Sequence, residues 1–142
     1  MENKKLLIYI DGAARGNPGP AGIGVVLLDE KKKRVKDYYK FLGKTTNNIA
    51  EYNALVYALQ EAHMLGAKEI VLHMDSELVA KQLKGEFRVK NNNIKPLFEQ
   101  AIHLINGLEK VEIKHIDRSL NKEADKLANK AINLSGLNTT IG

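Results

Sequence analysis

Thr46-Asn47-Asn48-Ile49-Ala50-Glu51-Tyr52-Asn53-Ala54-Leu55-Val56-Tyr57-Ala58-Leu59-Gln60-Glu61-Ala62-His63-Met64-Leu65-Gly66 is where the chain changes period. Tyr52, Leu55, Val56, Leu59 and Ala62 recur at helical spacing, so a helix is expected over 49–65. Thr46, Asn47 and Asn48 offer capping side chains ahead of it, and Gly66 closes it. Everything upstream reads as strands. Lys5 to Ile10 is a short run of strand formers stopped by Asp11-Gly12. Gly16-Asn17-Pro18-Gly19-Pro20 is a turn, and Ala21 to Leu28 is a second strand. The charged cluster Asp29 to Arg34 makes a solvated hairpin tip, from which Val35 to Leu42 returns as a third strand.

Downstream, strands and helices alternate. Glu69 to Met74 is a strand ending at Asp75, and Ser76 caps a short helix to about Leu83 that stops at Gly85. Pro96 lies in the first turn of a helix containing Leu97, Ala101, Ile102 and Ile105. Val111 to Ile116 is a fifth strand, Asn121 to Leu134 a last helix, and Ser135 to Gly142 an irregular tail. The order β-β-β-α-β-α-α-β-α is a meander followed by crossover units. It specifies an α/β fold, a five-stranded mixed sheet flanked by helices.

The 142 residues suit one domain, here placed at 1–134 with 135–142 as a tail. The absence of cysteine excludes disulfides, thiolate metal sites and cysteine nucleophiles. No apolar run approaches the roughly 20 residues of a membrane span, and the N-terminus lacks a secretory pattern, so no membrane partner and a cytoplasmic location are expected. A net charge of +5 is compatible with a polyanionic partner without requiring one.

Two acids directly follow apolar strands: Asp11 ends the first and Asp75 the fourth. In open α/β sheets, the carboxyl ends of strands are where catalytic groups gather. If those two strands are parallel neighbours, the two carboxylates lie side by side. Glu51 falls in the first turn of the long helix and Asp125 in the first turn of the last. Singly, each acid has a plain structural role open to it. Glu51 and Asp125 would complement a helix dipole, Asp75-Ser76 would cap a helix, and Asp11-Gly12 would make a turn. Brought together, four carboxylates repel one another unless a cation neutralises them, and hard oxygen ligands suit Mg²⁺ or Mn²⁺.

Four segments resemble, in order, the signatures of the type 1 ribonuclease H family. They are Asp11-Gly12-Ala13-Ala14-Arg15-Gly16-Asn17-Pro18-Gly19-Pro20-Ala21-Gly22, Thr45-Thr46-Asn47-Asn48-Ile49-Ala50-Glu51, Asp75-Ser76 and Asn121-Lys122-Glu123-Ala124-Asp125. The resemblance extends over nearly the whole chain and implies a ribonuclease H-like fold. It further implies a monomer that cuts the RNA strand of an RNA–DNA hybrid, with duplex RNA as a further candidate substrate. Asp11, Glu51, Asp75 and Asp125 would hold two Mg²⁺ ions, with Mn²⁺ as a substitute. One ion would activate the attacking water and the other would stabilise the departing 3′ oxygen, leaving 5′-phosphate and 3′-hydroxyl ends. Asn17, Thr46, Asn47 and Asn48 would face the minor groove, where amides can read 2′-hydroxyls.

The chain departs from many members at two places. Lys84 to Asn91 is short and has no Trp where others carry a long basic insertion, as in compact archaeal-type members. Lys114 to Leu120 is too short for a His-bearing flexible loop. Arg118 occupies the equivalent region and would help product leave, or would otherwise contact Asp117 or Glu123. His115 is expected to pack at the strand end, and Glu77 stands where many members have Gln. His73 shares strand parity with Asp75. Two other readings stay open: a binding module for hybrid or duplex RNA without catalysis, and a DNA-cutting nuclease of the same fold.

Overall fold

The computed structural model describes residues 4–141, with side chains over residues 4–136. Strands β1 (Lys5–Ala14), β2 (Gly19–Leu28) and β3 (Arg34–Thr45) form the antiparallel meander. Helix α1 (Asn47–Met64) follows, then β4 (Glu69–Met74), α2 (Glu77–Leu83), α3 (Lys95–Asn106) and β5 (Lys110–His115). A 3-10 turn (Arg118–Leu120) leads into α4 (Lys122–Ile141). The sheet order is β3-β2-β1-β4-β5, with β1, β4 and β5 parallel. The mixed five-stranded sheet and its flanking helices are therefore as the sequence led us to expect.

β1 does not stop at Asp11-Gly12. Residues 11–14 stay paired with β2, from Asp11 opposite Gly24 to Ala14 opposite Ala21, while parallel pairing with β4 ends at Tyr9 opposite His73. What ends near Asp11 is one ladder, not the strand. The expected tail is likewise helical: α4 continues through Ser135 to Ile141, and of the tail Gly142 alone lies outside the described residues. Ser135 Oγ donates to the Ile132 carbonyl at 2.7 Å, a back-bond that lets a serine remain inside a helix.

The two faces of the sheet are built differently. On one, Leu6, Ile8 and Ile10 of β1 and Ile23, Val25 and Leu27 of β2 pack on Tyr52, Leu55 and Leu59 of α1. All nine are almost wholly buried. Burial of side chains of this size stabilises by about 1.5–3 kcal/mol each before entropy is counted. Tyr52 hydroxyl donates to Gln82 Oε1 at 2.6 Å, so the aromatic can be buried without stranding its polar end. On the other face, small residues let α4 come close. A Cβ on Gly24 would collide with the Ala124 carbonyl oxygen, and one on Gly22 would lie 2.6 Å from that of Ala128. Glycine in a strand interior marks such close backbone approach. Among the described residues, no helix is long and apolar enough to cross a membrane.

Candidate active site

Two residues beyond the last β1–β4 pair, the parallel register sets Asp11 level with Asp75. α1 brings the third acid. Thr46 is its N-cap, accepting from Ile49 N at 3.3 Å, so Glu51 is the fifth helical residue and not part of the first turn as the sequence suggested. Glu51 is buried and its Oε1 accepts from Gly12 N at 2.9 Å, a contact that ties the helix to β1. Gly12 permits it, since a Cβ there would collide with the Ala50–Glu51 peptide. Asp11, Glu51 and Asp75 each present an oxygen within 4.8 Å of the others. Asp125, in the first turn of α4, is near enough to Asp11 to perturb its ionisation. The Gly24 contact explains this, because Gly24 pairs with Asp11 and lies under Ala124.

Burial pushes the Asp11 carboxyl far above the usual carboxylate range, and the charges of Glu51 and Asp75 push further the same way. Glu51 is also raised, first by burial and then by Asp75, while hydrogen bonding with Asp11 and from Gly12 partly offsets the rise. Glu51 Oε2 is buried without a hydrogen-bond partner. A buried acceptor left unpaired costs about 1–3 kcal/mol, so its presence calls for a positive ligand. An all-carboxylate donor set fits a hard divalent cation such as Mg²⁺ or Mn²⁺. The four acids line one open cleft of about 590 Å³, together with Asn47, Asn48, Arg118 and Asn129.

The residues expected at the rim are locally interlocked. Asn47 Oδ1 accepts from Ala14 N at 2.8 Å, and Asn17 Oδ1 accepts from Asn47 N at 3.0 Å. Both amide oxygens are used within the protein, and the NH2 groups are left as donors. Thr46 spends its hydroxyl on the cap, whereas Asn48 lines the cleft. Arg118 reaches neither Asp117 nor Glu123. Its guanidinium lies 3.9 Å from Asp125 Oδ1 with the side chain 83% exposed. His115 is exposed rather than packed, because β5 is an edge strand and its end is uncovered. His73 stacks on Tyr9 and bonds the Ile8 carbonyl at 2.9 Å, a structural role away from the acids. Glu77 pairs with Lys81 at 2.8 Å.

Sequence reasoning left three contributors without a role. Asn121, in the fourth signature, donates to Asp75 Oδ2 at 3.1 Å. Asn129 donates to Asp125 Oδ1 at 3.3 Å, and its own Oδ1 accepts from Arg15 at 3.2 Å. Gly24 sets how close α4 comes. The alternate glycines at 22 and 24 inside a strand pattern were the available signal for the last, and the i, i+4 spacing from Asp125 was one for Asn129; Asn121 carries none that periodicity detects.

A carboxylate cluster at the parallel-strand ends of a β3-β2-β1-β4-β5 sheet defines a protein of the ribonuclease H-like fold. Comparison with known proteins narrows this. A family profile described as "Reverse transcriptase-like" matches residues 9–131. Ribonuclease HI of Halobacterium salinarum is 41% identical over 124 residues, covering 87% of this chain and 62% of that protein. A bifunctional protein of Mycobacterium tuberculosis is 39% identical over 129 residues, covering 90% of this chain but 35% of its own length. The solved structure of the ribonuclease H1 called LC11, in complex with an RNA/DNA hybrid, superposes with a TM-score of 0.87 at 42% identity, covering 92% of this chain and 98% of that one. The chain belongs to the ribonuclease H family, type 1. It spans about a third of the mycobacterial relative and under two thirds of the halobacterial one.

Proposed function

We propose that this protein is an endonuclease that hydrolyses the RNA strand of RNA–DNA hybrids, using two divalent cations and leaving 5′-phosphate and 3′-hydroxyl ends. The observation that carries the reading is the convergence of Asp11, Glu51 and Asp75 within 4.8 Å around a buried, unpartnered Glu51 oxygen. Asp11, Glu51, Asp75 and Asp125 hold the cations, preferably Mg²⁺ with Mn²⁺ as substitute. Bound there, the cations supply Lewis acidity at the scissile phosphate and charge stabilisation at the departing oxygen. The protein's own groups orient the substrate. The NH2 groups of Asn17 and Asn47, whose oxygens are already engaged, are donors for the 2′-hydroxyls and base edges of the minor groove. Arg118, exposed beside Asp125, can pair with the phosphate as its negative charge increases on cleavage. The LC11 relative, solved with an RNA/DNA hybrid, supports the substrate class.

A gel assay on hybrid, duplex DNA and duplex RNA, with Mg²⁺ and with EDTA, tests the reading. Cleavage of the RNA strand of the hybrid only when Mg²⁺ is present is the expected result. Binding without cleavage would make the chain an inactive binding module, and cutting of duplex DNA would make it a DNA nuclease of the same fold.

A further inference from the structure

We infer that Asn121 is a positioning residue: its buried amide clamps Asp75 to β1 while its backbone starts α4, so that Asp75 and Asp125 are presented together. The inference rests on the proposed role of these acids as cation ligands. Asn121 is 1% exposed, and its Nδ2 donates both hydrogens, to the Ile10 carbonyl at 2.8 Å and to Asp75 Oδ2 at 3.1 Å. The first partner is the carbonyl immediately before Asp11. Both partners are oxygens that accept from it, which sets the orientation of the amide. Turned over, it would set Oδ1 against a carbonyl and a carboxylate.

The main chain of the same residue completes the link. The Asn121 carbonyl accepts from Asp125 N at 3.1 Å, which starts the ladder of α4, and Asn121 N donates to the Arg118 carbonyl at 3.0 Å. One residue therefore joins the backbone beside Asp11, the Asp75 side chain, the turn carrying Arg118 and the turn carrying Asp125. Its side-chain partners lie 111 and 46 positions away in sequence.

The chemistry demands this side chain. Serine or threonine has one hydroxyl hydrogen for two acceptors, and aspartate would oppose Asp75 with a second charge. Glutamine carries the amide one methylene too far. Asn121 Oδ1 is itself buried without a partner, so the residue is not there to satisfy its own hydrogen-bonding capacity. Groups that hold ligands in place contribute to metal affinity without touching the metal, and their loss typically weakens it by roughly 10–100-fold.

Asn121→Ser separates the two functions, since serine still starts a helix but cannot bridge two acceptors. Mn²⁺ affinity should be measured by titration calorimetry without nucleic acid, with kcat and KM on hybrid at fixed Mg²⁺ and melting in EDTA alongside. We expect Mn²⁺ affinity and kcat to fall roughly tenfold or more, with KM for hybrid nearly unchanged. A serine variant that melts lower but keeps wild-type Mn²⁺ affinity and kcat overturns the inference, because Asn121 then serves the fold alone. Failure of both Asn121→Ser and Asn121→Ala to fold, judged by circular dichroism, overturns it for the same reason. If wild type binds Mn²⁺ and cuts hybrid while the serine variant equals it, only the positioning role is lost. If wild type does neither, the proposed function goes with it.

Discussion

Replacing Glu51 by Gln exchanges one buried oxygen for an NH2 group and leaves shape and volume alone. The carboxyl is held at about 7 against an ordinary value of 4.5, chiefly by burial and then by Asp75. Its folded value lies above its unfolded one, so the folded protein binds the extra proton between the two. Stability conferred by the protonated form is therefore present below pH 4.5 and is lost as pH rises to about 7. At about 1.4 kcal/mol per pH unit, the full interval corresponds to roughly 3 kcal/mol. Asp11 titrates in the same cluster and shares part of that cost, so ~1–3 kcal/mol is the expected gain for Glu51→Gln at pH 8. Glutamine keeps the acceptor for Gly12 N and adds a donor among carboxylates. For 142 residues the unfolding entropy is about 0.3 kcal/mol per kelvin, so Tm should rise by roughly 3–10 °C in EDTA. At pH 4.5 the gain should shrink towards zero, since wild-type Glu51 is then neutral too. Thermal melts in EDTA from pH 4.5 to 8 decide it, with a parallel cleavage assay expected to show loss of activity. A variant less stable than wild type at pH 8, or a gain that does not vary with pH, would refute the reasoning.

Asp75→Asn should abolish cleavage in a gel assay while melting in EDTA at or above the wild-type temperature, because a like charge leaves the cluster and the Asn121 bond can be kept. Asn47→Ala should weaken binding to hybrid, measured in Ca²⁺, far more than binding to duplex DNA; equal losses on both would remove the groove role. Arg118→Ala should lower kcat by roughly tenfold with a smaller change in KM in steady-state assays, and an unchanged kcat would leave it a surface arginine. Gly24→Ala should destabilise by ~1–3 kcal/mol in urea melts and depress kcat as well, because the new methyl must push α4, and Asp125 with it, off β2.

Element order and the positions of the four acids were legible because each rests on a local signal. Runs of strand formers give way to helical spacing after Thr46, and Asp75 follows a largely apolar run. Asp11-Gly12 misled because local turn chemistry cannot report that β2 goes on pairing after β4 has stopped. Glu51 was placed a turn too early because the cap is Thr46 itself, which leaves Asn47 and Asn48 inside the helix. The role of Asn121 is wholly tertiary, and that of Asn129 joins a one-turn neighbour, Asp125, to the distant Arg15. The partners of Asn121, and the Arg15 partner of Asn129, are distant in the chain, so nothing in the neighbouring residues marks those contacts. The irregular tail expected over Ser135 to Gly142 is helical to Ile141, α4 overriding the weak helix propensity of Ser135 and Gly136.

The close seat of α4 on Gly22 and Gly24 also bears on the order in which the protein is assembled. Asp11, Glu51 and Asp75 are gathered by contacts within the first 75 residues, but the helix that adds Asp125 must close a loop of 111 positions to reach the Ile10 carbonyl. Closure entropy grows only slowly with separation, but contacts this distant in sequence lower the folding rate. The first 75 residues bring together three of the four acids, and Asp75 still lacks its bond from Asn121, so the site is whole only once α4 has seated on β2. The nuclease activity proposed above would in this sense report on completed folding.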